Sequence, residues 1–434
     1  MDSRHSDRST TVISRRSSSL PVRLIERDTV LFVVGLVVWV AFHVLWVHTE
    51  NVNWDEFALL ARARESFVSG RLLAGGRPGL GTLVLVPFVE SCTDVISAVR
   101  AARLAWIGFS AAILIALWML LQTILPNRDD GGSGGAYGLL GVGLLALTPA
   151  FLRYSVQVRT DQPAVAFGLF GSVVLVKSRE RRILALLAGI LFGVGFLFSQ
   201  KLVYVGALGG LLAAGETLIN DRFRPGRDLS RAGLTLAGML LTLFAFSQSV
   251  SAVFGDAPTL VASRQLDVFA YYRARGDVYD DYLRMAPQFV PHFLALFLIA
   301  AGAIRSRHQG NARASARFLL GNGVLALAIA VGWFHAGAFP YFWMTLGQCP
   351  AVGLTLAMPT ADSAFRALHI RRLSLAVVWV FLLAISARAV VELSRDSQRI
   401  QRVSMRFIDA NLSPEAKGFH PEKALLCRAD SSPF

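Results

Sequence analysis

The sequence predicts an all-α protein that crosses a membrane about eleven times, counting about 20 apolar residues or slightly fewer for each span. Hydrophobic residues make up 54% of the 434 positions and charged residues only 17%. The mean hydropathy is +0.51. This balance is too apolar for a soluble domain of ordinary composition. The apolar residues are gathered into runs that recur along the whole chain, as expected of a polytopic membrane protein.

The basic residues indicate a membrane topology. They give a net charge of +14, yet they form no continuous basic patch or arm of the kind that binds nucleic acid. Cytoplasmic loops of membrane proteins collect Lys and Arg. Alternate loops here do so: "KSRERR" at 177, "NDRFRPGRDLSR" at 220, "RSRHQGNARASAR" at 305 and "RALHIRR" at 366. The connector "PNRDDGGSGG" at 126 is less basic. We therefore expect a multi-pass protein of the cell (inner) membrane with a cytoplasmic N-terminus.

The elements follow in chain order. Residues 1–28, polar and rich in Ser and Arg, are expected to form a disordered cytoplasmic tail, and the run after them is retained because it has no small-residue cleavage site. The transmembrane domain extends over 29–390, and 391–434 form a short extracytoplasmic tail. The predicted spans are 29–47, 98–125, 136–152, 161–176, 183–199, 203–219, 232–253, 288–304, 318–334, 343–358 and 373–390.

The first outer loop, residues 48–97, is long and patterned. Apolar side chains recur at helical spacing opposite charged ones: Phe57, Leu60, Ala61 and Phe67 against Arg62, Arg64 and Glu65. This pattern predicts an amphipathic helix in the membrane interface. The following "GLGTLVLVPFV" is apolar but too short to cross a bilayer. Two interfacial helices would then roof a cavity at the outer surface.

Charged residues of both signs fall on the outer side: Asp55, Glu56, Arg77, Arg159, Asp161 and Lys201. An ionised group at membrane depth is costly unless it is paired or faces a wet cavity, so such residues are functional candidates. Plainer roles stay open at this point. The acidic pair could be interfacial acids, Asp161 a helix cap, Lys201 a lysine reaching the headgroups and Arg77 a solvated turn charge. The glycines around Arg77 do not form a phosphate loop.

The cysteines indicate neither a disulfide framework nor a metal centre. Cys92, Cys349 and Cys427 are few and scattered, and no Cys/His spacing is typical of a metal site. A pairing of Cys92 with Cys427 stays open.

Several passages, in this order, resemble the GT-C superfamily of integral-membrane glycosyltransferases. Its most similar branch contains the protein O-mannosyltransferases and the bacterial aminoarabinose transferases that modify lipid A. The passages are "WDEFALLARARESFVSGRL", "GGRPGLGTLVLVPF", "AVRAARLAWIGFSA", "LALTPAFLRYSVQVRTDQPAVAFGLF" with "LAGILFGVGFLFSQKLVYV", and "HAGAFPYFWMTLGQCPAV". Each is short and degenerate, so the resemblance depends on their order, spacing and shared side of the membrane, from about residue 29 to 358.

The resemblance implies a GT-C-like bundle that transfers a monosaccharide, with inversion, from a polyprenyl-phosphate sugar donor to an acceptor hydroxyl. It gives Asp55 the role of general base and Glu56 a contact with the acceptor. A lipid phosphate leaving group requires cations, and Arg77 and Lys201 match that need. Gly79 replaces a proline of the family pattern, which weakens the assignment of Arg77.

The remaining site residues also come from the resemblance. Asp161 matches the family's second acidic residue and, with Arg159, would shape the substrate site. His335 and Tyr341 would face the same cavity as phosphate or sugar contacts. Some members use a divalent metal, but no ligand set is visible here, so no metal and no cofactor is assigned. The sugar stays open, as does the acceptor, which could be a lipid, a glycan or a protein.

Two other classes compete with this reading. A transporter or flippase of an anionic lipid-linked substrate would also place basic residues at the outer face. Transporters usually have two halves related by a repeat, and neither "WDEFALL" nor "VRTDQP" recurs in the second half. A purely structural membrane partner would leave the outer charged residues unexplained.

Overall fold

The regular structure of the described residues is entirely α-helical. The structure is a computed structural model, and it describes residues 19–50, 52–72, 79–92, 95–125, 134–220, 224–255, 312–334 and 343–367, with scattered positions between 376 and 395. The predicted all-α class is confirmed over these ranges. The predicted spans 288–304 and, for the most part, 373–390 lie outside the described residues, as do residues 1–18 and most of the C-terminal tail.

The helices divide into long ones and short ones. In chain order they are α1 (Ser19–Trp46), α2 (Trp54–Ser69), α3 (Leu80–Ser91), α4 (Val95–Ile124), α5 (Gly134–Ala146), α6 (Pro149–Tyr154), α7 (Asp161–Lys177), α8 (Ile183–Phe198), α9 (Leu202–Asn220), α10 (Pro225–Phe254), α11 (Ala312–Phe334), α12 (Trp343–Leu346) and α13 (Gln348–Ala367).

Four stretches among the described residues are long and apolar enough to cross a bilayer: Arg27–Trp46, Ile96–Ile124, Leu202–Ile219 and Pro225–Phe254. Shorter apolar helices accompany them, including Gly135–Ala146 and Ile183–Phe198. The fold is therefore that of a polytopic membrane protein. The total of about eleven spans stays a prediction, which comes from the length of apolar sequence that a spanning helix requires.

Two elements differ in extent from the predicted spans. Helix α1 begins at Ser19, ahead of the predicted span that starts at residue 29. The predicted span 136–152 is broken between α5 and α6, because Pro149 has no N–H with which to continue the α5 hydrogen-bond ladder. Side chains satisfy carbonyls that the break exposes: Trp39 Nε1 donates to Ala146 O at 3.3 Å, and Thr148 Oγ1 donates to Leu145 O at 2.9 Å.

The main hydrophobic core lies among α4, α5, α7, α9 and α13. Helix α8 packs against α7 and α10, while α11 packs against α13 and α9. Hydrogen bonds join the end of α1 to α6, and the start of α7 to the junction between α8 and α9, at the same end of the bundle. Helices α2 and α3 sit at that end, and we call it the α2 end.

Residues 48–97, predicted as the first outer loop, contain two helices, α2 and α3, as expected. The buried side of α2 includes Phe57 and Leu60, as predicted, together with Ala63, and it packs on α3 and α4 in a second small core. Phe67, also placed on the apolar face by the sequence, is instead 55% exposed. The chain turns after α2 at Gly70, whose φ of 62° is a left-handed conformation that glycine adopts without strain.

Candidate functional site

A capping box fixes the start of α2. The Asn53 side-chain oxygen accepts from the backbone N–H groups of Asp55 at 2.6 Å and Glu56 at 3.3 Å. In return, Glu56 Oε2 accepts from the Asn53 backbone N–H at 3.0 Å. This reciprocal arrangement satisfies amides that a helix leaves without partners at its N-terminus. It holds the two carboxylates in the first turn, where the helix dipole favours negative charge.

Glu56 is fully buried and belongs to an ion pair. The Arg103 guanidinium donates to both of its oxygens, from Nε at 2.8 Å and from Nη2 at 2.6 Å, and both side chains are 0% exposed. The backbone N–H of Val158 donates to Glu56 Oε1 at 2.8 Å. Arg103 Nη1 also donates to the backbone carbonyl of Glu50 at 2.7 Å. These contacts favour a structural role for Glu56, joining α2, α4 and the α6–α7 loop, over the acceptor contact expected from the resemblance.

Asp55 is partly exposed and belongs to another ion pair. Its Oδ2 accepts from Arg159 Nη1 at 2.9 Å, and the Asp55 side chain is 37% exposed while that of Arg159 is 8% exposed. The two residues therefore differ in access to solvent. The carboxylate can meet a solute, whereas the guanidinium reaches it from within the protein.

The α6–α7 loop, residues 155–160, supports Arg159. Gln157 Oε1 accepts from Arg159 Nε at 3.0 Å, and the Arg159 guanidinium carbon lies 5.2 Å from the centre of the Tyr154 ring. Trp106 Nε1 donates to the Arg159 carbonyl at 2.6 Å. Burial raises the pKa of the Tyr154 hydroxyl against the opposing charges of Arg153 and Arg159. The Tyr154 ring therefore stays neutral and presents its electron-rich face to the cation.

A third ion pair lies at the start of α7. Lys201 Nζ donates to Asp161 Oδ2 at 2.9 Å, and Ser199 Oγ donates to Asp161 Oδ1 at 2.9 Å. Asp161 is buried, while the Lys201 side chain is 25% exposed. The Asp161 carboxylate thus bonds to the junction between α8 and α9, and the N-cap position of α7 is Thr160. Asp161 therefore does not occupy the cap position of α7. Its carboxylate instead holds the partly accessible Lys201 in place.

The first turn of α3 lies against Thr160, the residue before Asp161, and near Phe198 at the end of α8. A Cβ built on Gly81 would come within 2.6 Å of Thr160 Cγ2 and 3.8 Å of Phe198 Cδ1. Only a glycine allows the backbone to approach so closely. Gly79, the N-cap of α3, has a φ of 100° and gives no side-chain cap. The N-terminus of α3 therefore lies close to the start of α7, and a helix N-terminus favours anions.

The structure joins four of the candidate residues predicted from the sequence into two ion pairs. Asp55 binds Arg159, Asp161 binds Lys201, and the chain from 159 to 161 links the pairs. Arg77, His335 and Tyr341 lie outside the described residues, so their roles stay predictions. Among the described residues, no group of three or more His, Cys, Asp or Glu side chains could hold a metal ion.

The sequence reading missed four contributors: Asn53, Gln157, Arg103 and Ser199. Two of them carry a readable signal. Asn53 with Glu56 has the spacing of a capping box, and Arg103 is a charged residue within a predicted span, which is a functional or structural marker by itself. Gln157 and Ser199 show no such signal, because their importance comes from which loops meet.

The comparisons with known proteins give the fold. The chain is similar to the crystal structure of ArnT from Cupriavidus metallidurans bound to undecaprenyl phosphate, with a TM-score of 0.59 and 15% sequence identity, over 92% of this chain and 84% of that one. The apo state of the same ArnT gives a TM-score of 0.52, with the same identity and coverage. No protein-family model matches the chain, and no curated protein matches its sequence. The predicted polytopic helical fold is confirmed, and it is similar to the fold of ArnT.

Proposed function

We propose that this protein is a membrane glycosyltransferase that moves a monosaccharide from a polyprenyl-phosphate donor to an acceptor hydroxyl. One observation carries the proposal: the protein has both a partly exposed carboxylate, Asp55, and a partly exposed cation, Lys201, each held by a buried partner of opposite charge. The ArnT-like fold supports it, because one of the similar structures contains undecaprenyl phosphate.

In the proposed reaction, Asp55 acts as general base. As the acceptor oxygen attacks the anomeric carbon, its proton passes to the Asp55 carboxylate. The bond from that carbon to the phosphate oxygen breaks, and polyprenyl phosphate leaves. A single displacement of this kind inverts the anomeric configuration. A carboxylate within hydrogen-bond distance of the hydroxyl contributes about 100-fold to 10,000-fold in rate.

Lys201 and the N-terminus of α3 would receive the negative charge that develops on the leaving phosphate. Both favour anions, and charge-assisted hydrogen bonds stabilise developing charge more strongly than neutral ones. Arg77 precedes α3 by a few residues in the sequence, and it would join them. Asp161 would hold Lys201, and Arg159 would hold Asp55. His335 and Tyr341 stay candidates for sugar or phosphate contacts.

The proposal places the site at the extracytoplasmic face of the inner membrane. Under the positive-inside reading, the α2 end lies outside and the basic loops lie in the cytoplasm. The donor lipid would then enter from the outer leaflet. The acceptor would be a lipid, a glycan or a protein that presents a hydroxyl at that surface.

The test is the Asp55→Asn variant, assayed for transfer from a panel of polyprenyl-phosphate monosaccharides to membrane-derived acceptors. We expect kcat to fall about 100-fold or more, because the amide cannot take the proton. The matched control is Glu65→Gln on the same helix, which we expect to stay within about twofold of the wild type, since it changes a carboxylate away from both ion pairs.

Full activity of Asp55→Asn would refute the assigned base. Movement of the lipid-linked sugar across proteoliposomes without transfer would instead support a flippase.

A further inference from the structure

Asp55 is one member of a closed ring of hydrogen bonds. Its backbone N–H donates to Asn53 Oδ1 at 2.6 Å, and Asn53 Nδ2 donates to Gln157 Oε1 at 2.7 Å. Arg159 Nε donates to the same Gln157 oxygen at 3.0 Å, and Arg159 Nη1 closes the ring on Asp55 Oδ2 at 2.9 Å. The ring joins two segments about a hundred residues apart in the sequence, at separations of 104 for both contacts that cross it.

We propose that Asn53, Gln157 and Arg159 are positioning residues, which hold Asp55 by one carboxylate oxygen so that the other is presented to the acceptor hydroxyl. This inference rests on the proposed function and deepens it. It also gives Arg159 a role different from the substrate contact expected from the resemblance.

The geometry of the carboxylate supports this assignment. Within the described residues, the side-chain hydrogen bond of Asp55 is made by Oδ2 alone. Arg159 approaches from the protein side, since it is 8% exposed while Asp55 is 37% exposed. A carboxylate held at one oxygen has a fixed orientation, and a base must be within hydrogen-bond reach of its proton to act. Oδ1 is therefore the oxygen available for the proton.

The support behind Arg159 is itself rigid. Gln162 Nε2 donates to the backbone carbonyls of Gln157 at 2.6 Å and Tyr154 at 2.8 Å. Trp106 donates to the Arg159 carbonyl at 2.6 Å. Both ends of the Arg159 residue, backbone and guanidinium, are thus fixed by other residues. Catalytic geometry must be held to about half an ångström, and buried supporting hydrogen bonds of this kind provide that precision.

The two supports act on Asp55 by different routes, which an experiment can separate. Arg159 bonds the Asp55 carboxylate directly. Gln157 bonds Asn53 and the Arg159 guanidinium, so it acts on the carboxylate through the direction of that guanidinium. Removing Arg159 should therefore cost more activity than removing Gln157.

The experiment measures kcat and KM with the polyprenyl-phosphate monosaccharide that the wild type uses. For Arg159→Met, we expect kcat to fall about 100-fold with KM for the donor within about twofold, because the Asp55 carboxylate loses its orientation while the donor contacts stay. For Gln157→Met, we expect kcat to fall about tenfold with KM again unchanged, because the guanidinium stays but its direction is lost.

Two further variants complete the set. Arg159→Lys keeps the charge without the planar fork, so we expect a kcat between those of Arg159→Met and the wild type, and it serves as the test where Arg159→Met does not fold. The matched control is Arg153→Met, an arginine in α6 whose partner is Glu50 at 3.4 Å and not Asp55. It should leave kcat and KM within about twofold of the wild type.

A full kcat in both Arg159→Met and Gln157→Met would overturn the inference. So would a loss of kcat that only follows a lower content of folded protein, or one that Arg159→Lys does not partly restore, since a purely structural role gives that result. A wild type that transfers no polyprenyl-phosphate sugar would refute the proposed function itself, whereas transfer with unchanged variants refutes only the positioning role.

Discussion

Two adjacent acids, Asp55 and Glu56, have opposite environments in this protein. Successive residues of an α-helix point about 100° apart. The first turn of α2 therefore directs Asp55 towards solvent and Glu56 into the interior. The sequence identified the pair as a functional candidate. The sequence could not show that Glu56 is buried in an ion pair, because its partner, Arg103, lies 47 residues further along the chain.

The Glu56–Arg103 pair gives a stability prediction. Arg103→Met should lower the free energy of unfolding by about 3–5 kcal/mol, because it leaves a buried carboxylate without its cation. The double variant Glu56→Gln with Arg103→Met should lose less than the sum of the two single changes, since it removes both charges. Unfolding in detergent, followed by tryptophan fluorescence, measures these values.

The matched comparison is the more exposed pair Arg153–Glu50, where Arg153 is 54% exposed. Arg153→Met should cost about 1 kcal/mol or less. If Glu56 were instead an acceptor contact, Glu56→Gln would raise KM for the acceptor and leave unfolding unchanged. That outcome would return Glu56 to the role implied by the resemblance.

Individual helices were largely predictable from apolar runs, but their contacts were not. The run near 183–199 becomes α8 almost unchanged, since hydropathy alone determines its helical state in a membrane. What hydropathy does not reveal is its neighbour. Helix α8 packs closely on α10 through glycines: a Cβ on Gly189 would lie 1.9 Å from Thr235 O, and one on Gly238 would lie 2.3 Å from Leu186 O.

This close approach gives a prediction at the level of helix packing. Gly189→Ala should destabilise the protein by about 1–3 kcal/mol, because the added methyl meets the α10 backbone and must push the two helices apart. Gly210→Ala on α9 is the matched control, since no atom lies within 4 Å of a Cβ there. It should be neutral or stabilising by up to about 1 kcal/mol.

Thermal unfolding in detergent distinguishes the two glycines. A Gly189→Ala variant as stable as Gly210→Ala would mean that α8 and α10 are not packed through glycine in solution.

The fold class of the whole molecule was predictable from the sequence, but the way its helices meet was less so. Composition and the spacing of apolar runs predicted a helical membrane protein, and the fold confirms it. Both the break at Pro149 and the early start of α1 at Ser19 escaped the prediction, because hydropathy windows average over single residues. The meeting of residues 53–56 with 157–161 follows from tertiary packing, which no local pattern encodes.

The predicted orientation is testable with introduced cysteines in a background that carries both Cys92→Ser and Cys427→Ser. Val68→Cys, at an exposed position after the site, should react with a membrane-impermeant maleimide in intact cells. Glu180→Cys, in the exposed loop between α7 and α8, should react only after the membrane is opened. The reverse pattern would place the α2 end in the cytoplasm.

The buried pair between Glu56 and Arg103 also constrains how the protein is made. Glu56 leaves the ribosome 47 residues before Arg103 and 102 residues before the Val158 amide that also binds it. Until α4 has entered the membrane, this carboxylate has no cation, and until the α6–α7 loop has been translated, its last donor is missing. Nascent chains that stop before α4 should therefore be substrates for membrane quality-control proteases, and those that extend past α7 should escape them.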